Sequence, residues 1–281
     1  MSAPHAEIVV SDDHHMNQIR SRLPLLALLG LALTQMGCRP PAADLKEAYS
    51  PGRGGAKGVN HTLLDEVLRE FVSDKGLVEY EKLHANRKKL DAYTNALKKV
   101  EFEPLGRNEK LALLINAYNA FTLTLILDNW PVKSINDIPK ASRFEARRFH
   151  IGSLELSLND IENEYLRSKF KEPRIHFAVN CASIGCPLLR NEAYRAKDID
   201  AQLQDQARLM HNDKTWFDLD ATNSVLRLTK LYDWFAGDFE QVSGTILDHA
   251  AKFNKELAAL LKADKRPAVE FLEYDWGLNK R

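Results

Sequence analysis

Residues 111–127 read LALLINAYNAFTLTLIL. Apolar side chains fall on nearly every side of a helical wheel, so a helix here is buried all round rather than on one stripe. Asn116, Asn119 and Thr122 interrupt the run at i, i+3 and i+6, which sets them along one face. Buried amides must find hydrogen-bond partners or destabilise the fold. They can tie neighbouring backbone into place, or they can line a ligand pocket to which Tyr118 adds a hydroxyl from a different side. Asn108 is a candidate N-cap for a helix from Glu109 to Leu127, and Pro131 stops it.

Upstream, apolar residues at 63, 64, 67, 68, 71 and 72 predict a helix over Thr62–Val72. Gly76 breaks the pattern, Leu77–Tyr80 reads as a short strand, and Leu83–Val100 as a second amphipathic helix. Downstream, Arg147–Leu158 alternates around Gly152-Ser153, a hairpin signal. Helices are expected over Asn159–Phe170, Asp198–Met210, 229–236 and 243–262. Arg174–Asn180 reads as a short apolar strand, 216–219 and 225–228 as a second hairpin, and Ala268–Tyr274 as a last strand. Without regular βαβ alternation this pattern predicts an α+β fold: a mainly helical single domain with a small, mostly antiparallel sheet.

The folded body is expected over 61–281. Before it, Leu23–Met36 carries no charge, follows Arg20 and Arg22, and is shorter than the roughly twenty apolar residues that span a bilayer. A basic start, a short apolar core and small closing residues describe a secretory signal. The run closes on Met36-Gly37-Cys38, which resembles a bacterial lipobox with Gln35 where Leu is preferred. Residues 1–37 are therefore expected to be a lipoprotein-type signal peptide, with Met16 a possible true start and Cys38 the lipidated residue. The expected location is the cell envelope, with the protein anchored to a membrane through lipid and facing the periplasm. Residues 38–60, rich in Pro and Gly, read as a flexible tether.

The 281 residues hold 39 Lys plus Arg and 39 Asp plus Glu, so bulk charge does not hold this protein on nucleic acid. Apolar residues at 44% and charged residues at 28% exclude wholesale disorder. Three Cys are too few for a disulfide-dense small fold. No Gly-rich phosphate loop, G-x-S-x-G elbow or H-E-x-x-H pair occurs, and no cofactor is implied.

Residues 174–188 read RIHFAVNCASIGCPL. His176 beside Cys181 and Cys186 allows three chemistries. A thiolate nucleophile needs a base or a positive neighbour, and His176 could supply it. Zinc takes Cys and His, but three ligands in eleven residues make an incomplete set, so no metal site is assigned. A Cys181–Cys186 disulfide suits an oxidising envelope compartment, where lipidation of Cys38 would leave two thiols. At the C-terminus, Asp275 lies between Tyr274 and Trp276 and could orient His176, or cap a turn.

LLINAYNAFTL, LSLNDIENEYLR, RIHFAVNCASIGCPLL followed by Ala193-Tyr194, LYDWFAGDF and YDWGLN occur in that order. Together they resemble the family called domain of unknown function 547, over about residues 61–281. Members often carry Trp before the I-N-A-Y-N run, where this chain has Leu114. The resemblance implies a fold unit and a motif set rather than a reaction. It carries over Asn116, Tyr118, Asn119, His176, Cys181, Cys186, Asp275 and Asn279 as the expected site. Eukaryotic relatives place the domain inside cells, so the cysteine pair need not be a structural bridge.

Two functions follow as expectations. One is a thiol-dependent hydrolase or acyl transferase, with Cys181 as nucleophile, His176 as base, Asp275 as orienter and Asn116 or Asn119 donating to an oxyanion. The other is a module binding a small molecule or peptide, its Asn116, Tyr118, Asn119 and Asn279 facing the ligand and Cys181 bridged to Cys186.

Overall fold

A computed structural model describes residues 45–49 and 58–281. Met1–Gly37 and Cys38–Arg281 separate as two units. The expected signal peptide, Cys38 and most of the expected tether lie outside the described residues.

The first helices are α1 (Thr62–Phe71), α2 (Tyr80–Ala85), α3 (Lys88–Leu97), α4 (Arg107–Asp128) and α5 (Lys140–Arg143). A hairpin follows, β1 (Phe149–Ile151) and β2 (Leu154–Leu156), antiparallel with Ile151 opposite Leu154. Next come a π-helical segment, Asp160–Arg167, a 3-10 turn, Pro173–Phe177, and α6 (Ile199–His211). The remainder is β3 (Phe217–Asp220), β4 (Val225–Leu228), α7 (Leu231–Trp234), α8 (Ala236–Ser243), α9 (Ile246–Ala250), α10 (Lys255–Lys262) and β5 (Ala268–Phe271). The fold is α+β, helix-dominated, with small sheets. β3 pairs antiparallel with β4, and β5 joins β4 in parallel.

α4 organises the larger core. It is long and apolar enough to cross a membrane, yet 89% of its apolar window is buried inside the domain. Leu111, Leu114, Ile115, Leu125 and Ile126 are fully enclosed, and α4 packs against α2, α3, α6 and the π-helical segment. Its start differs from the expected Asn108 cap. Gly106 is the N-cap, and its backbone N–H donates to the Glu109 carboxylate at 2.9 Å. A second apolar cluster gathers Phe177, Met210, Leu226, Leu228, Tyr232 and Phe239. Phe177 therefore belongs to a different core from its neighbours Ile175 and Ala178, and the segment around it runs along the seam between the two clusters.

Several expected elements change, among them the helix over 243–262, which is α9 and α10 with a break between Ala250 and Lys255. Leu83–Val100 is two helices, because the chain re-enters at Lys88 after a break at Asn86 and Arg87. The strand expected at Leu77–Tyr80 is a single bridging residue, Val78, paired with Val72 and with Lys280. Part of the expected tether is not free: Leu45 is buried, Ala48 N–H donates to Lys169 O at 2.9 Å, and the Tyr49 ring packs on Phe170 at 5.1 Å. Two apolar side chains in a short Pro/Gly-rich tract are too few to make a periodicity, so packing alone marks them.

Candidate functional site

The strand expected at Arg174–Asn180 is a helical turn. Pro173 stands at its first position, where a missing N–H costs nothing, and the Glu172 carboxylate accepts from the Arg174 N–H. Local bonds from Ile175 N–H to Glu172 O and from Ala178 N–H to Ile175 O then replace a ladder. The turn removes the alternation that would set His176 and Cys181 on opposite faces. Both line one open cleft of about 220 Å³.

The two helix asparagines do not line that cleft. Asn116 donates to Tyr194 O at 2.8 Å and accepts the Tyr194 N–H at 2.9 Å. Asn119 donates to Ala178 O at 3.0 Å and accepts the Asn180 N–H at 2.8 Å. Each amide stands in for a strand partner and satisfies both groups of a passing peptide. Neither lines the cleft, so neither is placed to donate to an oxyanion or a ligand there. Asn180, fixed in this way, accepts the Ala182 N–H at 2.8 Å and donates to Pro187 O at 2.7 Å, so it braces both ends of the cysteine loop. Asn279 is likewise structural: buried, it accepts from the Tyr80 hydroxyl at 2.7 Å and donates to Gly76 O at 3.3 Å. Tyr118 does border the cleft. Burial, with Glu162 beside it, pushes its hydroxyl well above the usual phenol range.

The carboxylate at His176 is Asp238, not Asp275. His176 Nε2 lies 2.8 Å from Asp238 Oδ2, and Arg167 reaches the same carboxylate through Nε at 2.7 Å and Nη2 at 3.0 Å. Asp238 is completely buried. Burial would raise its carboxyl, but hydrogen bonds from His176 and Arg167, with their charge, outweigh that and hold it at about 2. An ionised carboxylate only accepts, so Nε2 carries the proton it donates. On a neutral ring that makes Nδ1 an acceptor, and Nδ1 is buried with no partner among the described residues. Phe235 stacks on the ring at 3.9 Å and 16°, and the Arg167 guanidinium lies over the same Phe235 ring at 4.8 Å. Asp275 instead turns the chain: its Oδ1 accepts the Gly277 N–H at 2.8 Å.

Cys181 and Cys186 are joined as a disulfide, with Cα atoms 6.3 Å apart. Cys186 is buried and Cys181 half-buried. Gly185 N–H donates to Asp275 O at 2.8 Å, and a side chain at Gly185 would collide with that backbone and the Tyr274 ring, so glycine lets Tyr274 reach the sulfurs. Among the described residues no three His, Cys, Asp or Glu side chains gather as a metal set.

The rest of the cleft was not read from the sequence. Trp234, Tyr274 and Trp276 form an aromatic wall, with ring centroids 4.6 to 6.0 Å apart. Glu162 and Asn163 face them from the π-helical segment. π-Helical turns are rare and concentrate at functional sites. The same segment buries Arg167, whose Nη1 donates to Asn163 at 2.8 Å. The available signals were the acidic residue inside the aromatic run LYDWFAGDF and the charged residues of LSLNDIENEYLR.

Residues 102–209 match the model of a family described as protein of unknown function, DUF547. The motif resemblance to that family thus holds over this segment. It includes α4, the π-helical segment and the cysteine loop, but not Asp238 or the aromatic wall. No curated protein and no solved structure matched the chain in the same comparisons.

Proposed function

We propose that this protein is a lipid-anchored cell-envelope protein whose cleft binds a small molecule or peptide bearing an apolar face and a hydrogen-bond donor, with Cys181 and Cys186 bridged. The observation that carries the reading is His176 Nδ1. It is a buried ring nitrogen, an acceptor on the neutral ring, without a partner among the described residues, on a ring fixed by Asp238 and Phe235 that borders the cleft. Such a nitrogen is costly unless a ligand supplies the donor. The wall of Trp234, Tyr274 and Trp276 supplies a stacking surface, and Trp276 and Ile184 are among the few exposed large apolar residues. Titration of the intrinsic tryptophan fluorescence with panels of short peptides and of oligosaccharides tests this. A saturable change with one class, weakened by Trp276→Ala, is expected. A folded protein with no saturable response to either panel rejects it.

The anchor rests on Arg20, Arg22, the uncharged run from Leu23 and Met36-Gly37-Cys38. Cys38→Ser is expected to leave the protein unprocessed or release it from the membrane fraction. Unchanged processing and retention overturn the anchor.

A second reading has one observation behind it. His176, with Asp238 as its orienter, borders the same cleft as Cys181, and a thiol hydrolase or acyl transferase would need the ring to come within hydrogen-bond reach of that sulfur, a contact it does not make here. It requires the bridge to be open, and its oxyanion donors are not Asn116 or Asn119. An acyl group found by mass on Cys181 after reduction and treatment with an activated ester supports it, and the absence of such an adduct removes it.

A further inference from the structure

We propose that the Cys181–Cys186 pair is a redox-active disulfide that exchanges with small thiols entering the cleft, rather than a structural staple. Two observations carry this, and neither depends on which ligand the cleft takes.

The first is the surroundings of the sulfurs. Cys181 N–H donates to Cys186 Sγ at 2.9 Å. Ser183 donates to the Tyr274 hydroxyl oxygen at 2.9 Å, and the Tyr274 hydroxyl donates to Cys186 Sγ at 3.2 Å. Cys181 Sγ lies 3.1 Å from both of those oxygens. A bridged sulfur is neutral and a poor acceptor, whereas a thiolate is a charged one. The same donors therefore stabilise the opened form more than the closed form. Burial keeps the Tyr274 hydroxyl protonated by raising its pKa, so it remains a donor.

The second is that the loop does not need the bridge for its shape. Asn180 braces residues 182 and 187, and Asn119 holds Asn180. Ile184 N–H donates to Gly277 O and Gly185 N–H to Asp275 O, both at 2.8 Å. Trp216 Nε1 donates to Cys186 O at 3.1 Å. With six residues from one cysteine to the other, closure removes little freedom from the unfolded chain. A bridge that adds little to a loop already fixed, and that sits in an open cleft among thiolate-stabilising donors, is suited to being opened.

The step balances as follows. A small thiol enters as its thiolate and attacks Cys181 Sγ, the more exposed sulfur. The Cys181–Cys186 bond breaks, and its electron pair leaves on Cys186 Sγ, where the Cys181 N–H and the Tyr274 hydroxyl receive the charge. A second thiolate attacks the small-molecule sulfur of the mixed disulfide and releases a small disulfide and the Cys181 thiolate. Two thiols are oxidised, the protein pair takes up two electrons, and the two protons pass to the cysteines or to solvent.

The test equilibrates the full chain in reduced and oxidised glutathione at varied ratios, traps thiols by alkylation, and reads Cys181 and Cys186 by peptide mass, apart from Cys38. The expected result is a reversible two-electron transition with circular dichroism unchanged. Tyr274→Phe is expected to lower the equilibrium constant for reduction by about tenfold, the size of one lost hydrogen bond to a charged group. Ser183→Ala should shift it in the same direction by less, and serves if Tyr274→Phe does not fold. A pair that stays bridged at every ratio until the protein unfolds overturns the proposal. So does a folded Tyr274→Phe or Ser183→Ala variant with an unchanged equilibrium.

Discussion

Two regions place polar groups in apolar surroundings, and they end differently. On α4, Asn116 and Asn119 each exchange two hydrogen bonds with passing backbone, and the Thr122 and Tyr194 hydroxyls are buried beside them with no partner among the described residues. Around His176 the account does not close. Nε2 has Asp238, Nδ1 has no partner among the described residues, and the sulfurs nearby collect more donors than a neutral bridge uses. The first region is finished as far as the cleft is concerned, because its two unpartnered hydroxyls do not line it. The second has capacity to spare, and that capacity borders the cleft. Polarity in a core does not by itself mark a site; the distinguishing mark is polarity left unsatisfied beside an opening.

The sharpest way to break this comparison is to unbalance the second region's buried charge. Asp238→Ala leaves Arg167 without its carboxylate, with both side chains almost wholly enclosed. A loss of about 3–5 kcal/mol is expected in denaturant melts. A loss under 1 kcal/mol would show that the Arg167–Asp238–His176 cluster is not closed.

Acid probes the same half of the molecule. His211 and His249 share the Tyr232 hydroxyl, with Nε2 of His211 at 2.6 Å and Nδ1 of His249 at 3.0 Å. Burial lowers His211 to about 4, and burial with neighbouring positive groups lowers His249 to about 3. Their folded pKa values lie below the unfolded value, so the unfolded chain takes up protons first as pH falls. Stability is full above the unfolded pKa of about 6.5 and falls steadily down to the folded values, by about 2 kcal/mol per histidine at pH 5. Asp238, held below its unfolded value, adds its own loss progressively from about pH 4 down to about 2. Melting temperatures measured at pH 7 and pH 5 should differ clearly. Equal values would place these imidazoles in contact with water, and His211→Gln should flatten the profile.

Asn116→Leu addresses the finished region. It strands the Tyr194 N–H and C=O in the core, at about 1–3 kcal/mol. Cleft binding and the cysteine equilibrium should be unchanged, read by tryptophan titration and thiol trapping. A changed affinity with unchanged stability would return Asn116 to the ligand side.

The smallest effect is expected from the bridge. Replacing Cys181 and Cys186 together by Ser should cost at most about 2 kcal/mol, the ceiling for so short a loop. A loss well beyond that in urea melts would make the bridge a staple.

Much of this architecture was legible because periodicity reports burial. The all-round apolar run gave α4, and alternation about Gly152 and between residues 217 and 228 gave both hairpins. Arg174–Asn180 was misread because a short apolar run has no period to separate a strand from a buried turn. Pro173 was the available signal. The parallel pairing of β5 with β4 leaves no local trace. The site was legible as a set of motifs but not as partnerships. His176 meets a carboxylate 62 positions away, while the candidate that its aromatic neighbours picked out, Asp275, lies still farther along the chain. Which acid reaches which ring is decided by tertiary packing.

The C-terminal segment ties the sulfur loop to time as well as space. Tyr274 lies 93 positions beyond Cys181, and residues 275–279 supply backbone partners for Ile184, Gly185, Val78 and Ala182. While the chain is being made, the cysteines have been synthesised long before the groups that shape their loop. Until residues 274–279 dock, neither the hydroxyl over the sulfurs nor the backbone bracing of 183–185 exists. The hydroxyl and backbone groups that shape the pair are thus set in place only by the completion of the fold.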